Sequence, residues 1–201
     1  MSAGARLVIV SSESVRADFA RFHPADAAKA RVLRFAVFPA AEPEPVERES
    51  LLHRLGITRP FLHVPNQLWA HKNHALVAEA LSRLRAKGVC PLVISTGGAA
   101  EASGAEHAAR LQARVVESGL GERFRFLGLL DYRSTCALMR EAAAIINPSR
   151  FEGWSTTVEE ARSLGKSILL SDLPVHREQN PPRAAYFPPD DADRDVHDQR
   201  P

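Results

Sequence analysis

Cysteine is almost missing from these 201 residues: Cys90 and Cys136 are the whole supply. Two thiols so far apart have neither metal-ligand spacing nor the density of a disulfide framework. They suit a reducing compartment as ordinary buried side chains. A surplus of charge is missing too. The formal net charge is +2, too little to argue for nucleic acid or another polyanion as partner. Long apolar runs are absent, the longest pieces being Leu7 to Val10 and Ala142 to Ile146, far short of a membrane span. Behind Arg6 the apolar run is also too short for a secretory signal. G-x-G-x-x-G does not occur, which removes the dinucleotide fingerprint. No nucleophile elbow occurs either, so Ser/His/Asp and Cys/His chemistry have no support. There is no internal repeat, and the C-terminal aspartates lack EF-hand spacing. The expectation is a cytoplasmic globular protein of one domain or a domain and a fraction.

What is present alternates. Arg6 to Ser11 reads as a strand, Ser12 to Phe22 as a short amphipathic helix stopped by Pro24, and Arg31 to Phe38 as another strand. Pro39 to Glu49 is rich in Pro and Glu and reads as a linker. Beyond it, Leu51 to Leu55 is predicted helical with a stop at Gly56, and Phe61 to Val64 is a buried strand. Asn73 is expected to cap a helix whose stripe is Leu76, Ala80, Leu81 and Leu84. Strands at Leu92 to Ser95 and Phe124 to Leu127 flank a helix from about Ala105 to Ser118, ended by Gly119. Asp131 caps a helix from Tyr132 to about Ala142. This alternation predicts an α/β fold, an open parallel sheet with helices on both faces. Ligands of such sheets bind beyond the carboxyl ends of the strands. The stretch from Pro188 onward is rich in Pro, Asp and Arg and is expected to be disordered.

The most informative stretch is Ile145 to Glu178, IINPSRFEGWSTTVEEARSLGKSILLSDLPVHRE. A strand ending at Asn147 leads into the loop Phe151-Glu152-Gly153, then a helix ending near Gly165, a strand from Ser167 to Leu170, and a Pro-containing turn. A helix that follows such a loop presents unpaired N–H groups to an anion. Thr156 with Glu159, and Thr157 with Glu160, both have capping-box spacing, so the helix is expected to start at Ser155 to Thr157 with Glu160 in its first turn. Glu152 and Glu160 stand in a Glu-x7-Glu relation. Acceptor-only carboxylates at one mouth suit a ligand rich in hydroxyls. The same residues also suit a plain helix start whose acids complement the dipole, and the spacing alone leaves both readings open.

The longer string from Pro148 to Glu178 resembles, almost without a gap, the pattern of the retaining GT-B glycosyltransferases of family 4, also called glycosyltransferase group 1. Lys166-Ser167 departs from it, where the family has a small or polar residue and Pro, at a strand edge away from the site. The resemblance implies a Rossmann-like parallel sheet forming the C-terminal, donor-binding half of a GT-B fold, with the N-terminal half largely missing. On that basis residues 1–40 are a remnant of the N-terminal domain and the crossover, 41–189 the nucleotide-sugar-binding domain, and 190–201 a disordered tail. The implied reaction moves a sugar from a nucleotide diphosphate donor with retention, in bacterial surface-polysaccharide synthesis. The alternative is a nucleotide-sugar-binding module or remnant without catalysis of its own. The implied partners are the nucleotide sugar and a separately encoded N-terminal acceptor-binding half. Nucleic acid and a transmembrane segment are not expected, and the place of action is the cytoplasm or the inner membrane face.

Residue by residue, the resemblance assigns Glu152 and Lys72 to catalysis. Lys72 sits in NQ-x-W-x-HKNH, where the family has an Arg and a Lys on the diphosphate. The arginine position falls on Asn66 or Gln67, which leaves the clamp one charge short unless Arg150 or another cation substitutes. Glu160 would hold ribose hydroxyls, while Gly153, Trp154, Ser155 and Thr156 would meet the donor sugar and diphosphate. Gly97, in the turn Thr96-Gly97-Gly98, and Leu127-Gly128 would line the nucleotide, and Ser149 would contact phosphate. Taken singly, each has a plainer reading: an exposed lysine beside a helix cap, Gly turns needing no ligand, a serine closing a turn. Trp69 and Trp154 suit simple packing, and His176 a structural role. His71 and His74 lack a third ligand, so no metal is expected. No cofactor is expected either, the nucleotide sugar being substrate.

Overall fold

The computed structural model describes residues 4–38, 44–99 and 102–190. The chain opens with β1 (Val8–Val10), α1 (Glu13–Phe22) and β2 (Ala30–Val32), whose strands pair in parallel. Both strands are shorter than expected. Ser12 already caps α1, its hydroxyl accepting the Val15 N–H, so β1 ends there and β2 has no neighbour beyond the Leu33 N–H bond to Val10. The outward face of this pair leaves Leu7, Ile9 and Leu33 more than half exposed.

The second unit begins earlier than the linker reading allowed. Residues 39–43 lie outside the described residues, but α2 (Pro45–Arg54) takes up the end of that linker. Proline fits a first helical turn, where its missing N–H is no loss, and the Glu47 carboxylate accepts the Glu44 N–H at 3.0 Å. Then come β3 (Phe61–Val64), α3 (His74–Ala86), β4 (Leu92–Ser95), α4 (Ala102–Glu117), β5 (Phe124–Phe126) and α5 (Tyr132–Glu141). β6 (Ala144–Asn147), α6 (Thr156–Ser163), β7 (Ile168–Ser171), α7 (Pro174–Gln179) and β8 (Ala184–Phe187) complete it. The six strands are parallel in the order β5-β4-β3-β6-β7-β8.

Alternate residues of each strand feed two cores, because side chains on a strand point to opposite faces. Phe61, Leu92, Ile94, Ile145 and Leu170 meet Leu51 of α2, Leu138 of α5 and Val158 of α6. Val64, Val93, Phe124 and Ile146 meet Val77 and Leu81 of α3 and Val115 of α4. The expected α/β sandwich is therefore present, with helices on both faces. The α3 stripe is displaced: Leu76, Val77, Ala78 and Leu81 are buried, whereas Leu84 is exposed. The turn before His176 is in fact α7, started by Pro174, and β8 follows it as an edge strand. Pro189 and Asp190 belong to the folded unit, accepting hydrogen bonds from Asn73 and Arg150. The rest of the tail, 191–201, lies outside the described residues.

The strand order reverses direction between β3 and β6. In open parallel sheets a crevice forms at such a switch point, beyond the carboxyl ends of the strands.

Candidate functional site

A cleft of about 420 Å³ occupies that crevice. Its walls are the segments that leave β3 (Pro65 to Lys72), β4 (Thr96, Gly97), β5 (Leu129, Leu130) and β6 (Glu152, Trp154), together with the start of α6 and Thr135 of α5.

Lys72 closes a 3-10 turn, Ala70–Lys72, and Asn73 follows in the left-handed region at φ 56°, swinging the chain into α3. Asn73 occupies the cap position but does not cap with its side chain. Its Nδ2 donates to the Pro148 carbonyl at 3.1 Å and the Pro189 carbonyl at 2.8 Å. The Arg150 N–H also donates to the His71 carbonyl at 2.8 Å. These bonds lash the lysine loop to the carboxylate loop. Lys72 Nζ in consequence stands 2.7 Å from Glu152 Oε1, with the two side chains 14% and 9% exposed.

Behind Glu152 runs a polar chain. Ser149 Oγ lies 2.7 Å from Glu152 Oε1 and 2.8 Å from Asn147 Oδ1, and its single proton serves one of them at a time. Asn147 Nδ2 donates to Ser155 Oγ at 2.8 Å, and that oxygen accepts the Val158 N–H as the α6 cap. Ser155 is thus the cap, and the expected capping boxes do not form. Glu159 is the first-turn acid and is buried, accepting from Gln179 Nε2 at 2.9 Å. Glu160 lies further along α6 than expected and lines the cleft. Burial raises its carboxyl pKa, and a hydrogen bond from Tyr132 works against that rise. Burial, Cys136 and Glu160 together push the Tyr132 phenol up. His176 is buried below the loop, its Nδ1 2.7 Å from the Ser171 carbonyl, and Ser171 Oγ donates to the Ser149 carbonyl at 2.5 Å. It supports the loop from underneath.

On the opposite wall, Gly97 has φ 130°, and a Cβ there would come within 2.4 Å of the Asn66 carbonyl oxygen. That approach lets the two loops touch. Gln67 Oε1 accepts the Gly98 N–H at 2.8 Å, so its amide is already engaged. Asn66 is 4% exposed and lines the cleft, and its Oδ1 has no hydrogen-bond partner among the described residues. Thr96 Oγ1 lies 2.8 Å from Nε2 of His63, a ring whose burial lowers its pKa to about 3.

Of the residues singled out in the sequence, Lys72, Glu152, Glu160, Trp154, Ser155, Thr156, Asn66, Gln67 and Gly97 share this one cleft. Ser149 sits one layer beneath it, under Glu152. Gly153 turns its carbonyl away, toward Ser11. Leu127 and Gly128 are not in its lining: Leu127 packs on the core and Gly128 accepts the Gly97 N–H, while Leu129 and Leu130 form that wall. Arg150 does not supply a second positive charge. It pairs with Asp190 outside the cleft, leaving Lys72 as the one cation among the described lining residues. The Trp154 indole N–H donates to the Phe35 carbonyl at 2.9 Å, an anchoring role. Thr135 and Leu130 escaped sequence reasoning, while Thr96 and Leu129 lay in the named segments without a role of their own. Their one legible signal was their position just past a strand or in the first turn of a helix.

Residues 49–194 match the family described as glycosyl transferases group 1. The chain belongs to that family. Over 86 residues this group 1 chain is 31% identical to the O-antigen chain mannosyltransferase RfbU of Salmonella typhimurium, covering 43% of this chain and 24% of that protein. It is similar in fold to a glycosyltransferase from Rickettsia africae, with a TM-score of 0.80 and 19% identity over 93% of this chain and 50% of that one. HepE of Anabaena, solved in complex with UDP and glucose, is also similar, with a TM-score of 0.74 and 21% identity over 87% of this chain and 46% of that one. The chain thus spans about half the length of these solved structures and about a quarter of the curated relative. No helix among the described residues is long and apolar enough to cross a membrane.

Proposed function

We propose that this chain binds a nucleoside diphosphate sugar in the β3/β6 crevice and supplies the donor half of a glycosyltransferase acting in bacterial surface-polysaccharide assembly. The observation that carries this reading is the meeting of Lys72 and Glu152, from separate connections, beside the start of α6. An ammonium and unpaired first-turn amides stabilise the negative charge that grows on a departing diphosphate. Glu152 and Glu160 accept hydrogen bonds from sugar and ribose hydroxyls. Lys72 is paired with Glu152; a diphosphate takes over the lysine and frees the carboxylate for the sugar. Transfer proceeds with retention, and no cofactor is required.

Residues 1–40 are read as the end of an acceptor domain and 41–189 as the donor domain. The second reading is a nucleotide-sugar-binding module without turnover of its own. A thermal-shift panel of UDP- and GDP-sugars tests binding, since a ligand of the folded form alone raises the melting temperature. Lys72→Ala should cost about tenfold or more in affinity for the nucleoside diphosphate and leave the nucleoside little changed. Equal losses for both would remove the phosphate role. Glu160→Ala should weaken nucleoside and diphosphate alike, by a factor of about five to twenty; unchanged calorimetric affinity would take Glu160 off the ribose. Sugar transfer assayed with and without an acceptor half separates enzyme from module.

A further inference from the structure

The first unit, β1-α1-β2, grips the carboxylate loop at two points. Ser11 Oγ donates to the Gly153 carbonyl at 3.0 Å, and the Phe35 carbonyl accepts the Trp154 indole N–H at 2.9 Å. The approach is close but not crowded: a Cβ on Gly153 would stand 3.4 Å from Ser11 Oγ and 3.8 Å from Val15 Cγ2, ordinary contact distances. The start of α1, two residues beyond Ser11, is in turn held by α7. Both Glu178 oxygens accept the Glu13 N–H, at 3.0 and 2.9 Å, and Arg34 Nε donates to the same carboxylate at 2.9 Å.

In a trans peptide the carbonyl and the following N–H lie in one plane and point in opposite directions. With the Gly153 oxygen fixed on Ser11, the Trp154 N–H is turned to the other side, and it takes no partner among the described residues. Glu152, Trp154, Ser155 and Thr156 all line the cleft. We propose that Ser11, just ahead of the α1 start that Glu178 holds, is a positioning residue for donor binding: it sets the Gly153–Trp154 peptide so that its N–H meets an anionic oxygen of the diphosphate sugar. This rests on the donor-binding reading above. It adds that the β1-α1-β2 unit shapes the phosphate end of the site without touching the ligand, and that the nucleoside end is indifferent to it.

Calorimetry tests it with uridine, UDP and UDP-glucose, and guanosine, GDP and GDP-mannose, on the wild-type chain, Ser11→Ala, Ser11→Thr and Glu178→Gln. The expected result is a loss of about fivefold in affinity for the diphosphate and its sugar in Ser11→Ala. The nucleoside affinity stays unchanged, and the melting temperature stays within about 3 °C of wild type. Ser11→Thr keeps the hydroxyl and restores most of the loss, while Glu178→Gln falls between. An equal loss for the nucleoside means general loosening and overturns the proposal. So does unchanged diphosphate affinity in Ser11→Ala, or a Thr variant no better than Ala. If the wild-type chain binds none of the six ligands at millimolar concentration, the donor-binding reading has failed and this inference falls with it. Normal wild-type binding with an indifferent Ser11 sinks this inference alone.

Discussion

Gly97 has almost no freedom to be anything else. Its φ of 130° belongs to a region that side chains rarely enter, and the oxygen that a Cβ would strike is backbone. Gly97→Ala should therefore cost on the order of 3 kcal/mol in a urea titration and open the seam between the loops after β3 and β4. At this scale legibility followed chemistry. Lys72 and Glu152 stood out through the family pattern, since charges beside a helix start also have plain uses, and the structure brings them within 2.7 Å. Asn66 and Gln67 were visible only as a missing arginine. That one amide would be consumed by Gly98 and the other left with an unpartnered oxygen depends on backbone geometry that residue types do not encode. The share of the wall taken by the Leu130 side chain was equally hidden, since a leucine after a strand carries no signal of its own.

Among the elements, α6 binds the site's two layers together. Ser155 caps it and at the same time accepts from Asn147, which is fully buried. Ser155→Ala removes the cap and strands the Asn147 N–H, so a loss of about 2 kcal/mol is expected by chemical denaturation. The strands β3, β4 and β6 were readable from their apolar runs, and the helices α1 and α5 from the caps Ser12 and Asp131. The element α7 was not, because six residues opening on proline look like a turn. The strand β8, Ala-Ala-Tyr-Phe behind two prolines, lacks the β-branched residues that announce a strand. It pairs because β7 offers an open edge, a tertiary cause with no local signature.

For the molecule as a whole, acid is the stress that the buried histidines predict. Burial lowers the folded pKa of both His63 and His74 from 6.5 to about 3, and His176 shifts the same way. Below pH 6.5 the unfolded chain takes up protons that the folded chain refuses, so stability falls as pH drops. Between pH 6.5 and 5 the loss should be roughly 2 kcal/mol for each of His63 and His74. Melting curves over that range check it, and His74→Gln should flatten the slope.

The central seam of the sheet joins Leu62 to Ala144 and His63 to Ile145. During synthesis β3 and β4 leave the ribosome long before β6, so the middle of the future sheet waits with one flank bare. Strands that must find partners so remote in the chain come together slowly. A cell making this protein would need to shield the nascent half from its neighbours until the sixth strand arrives.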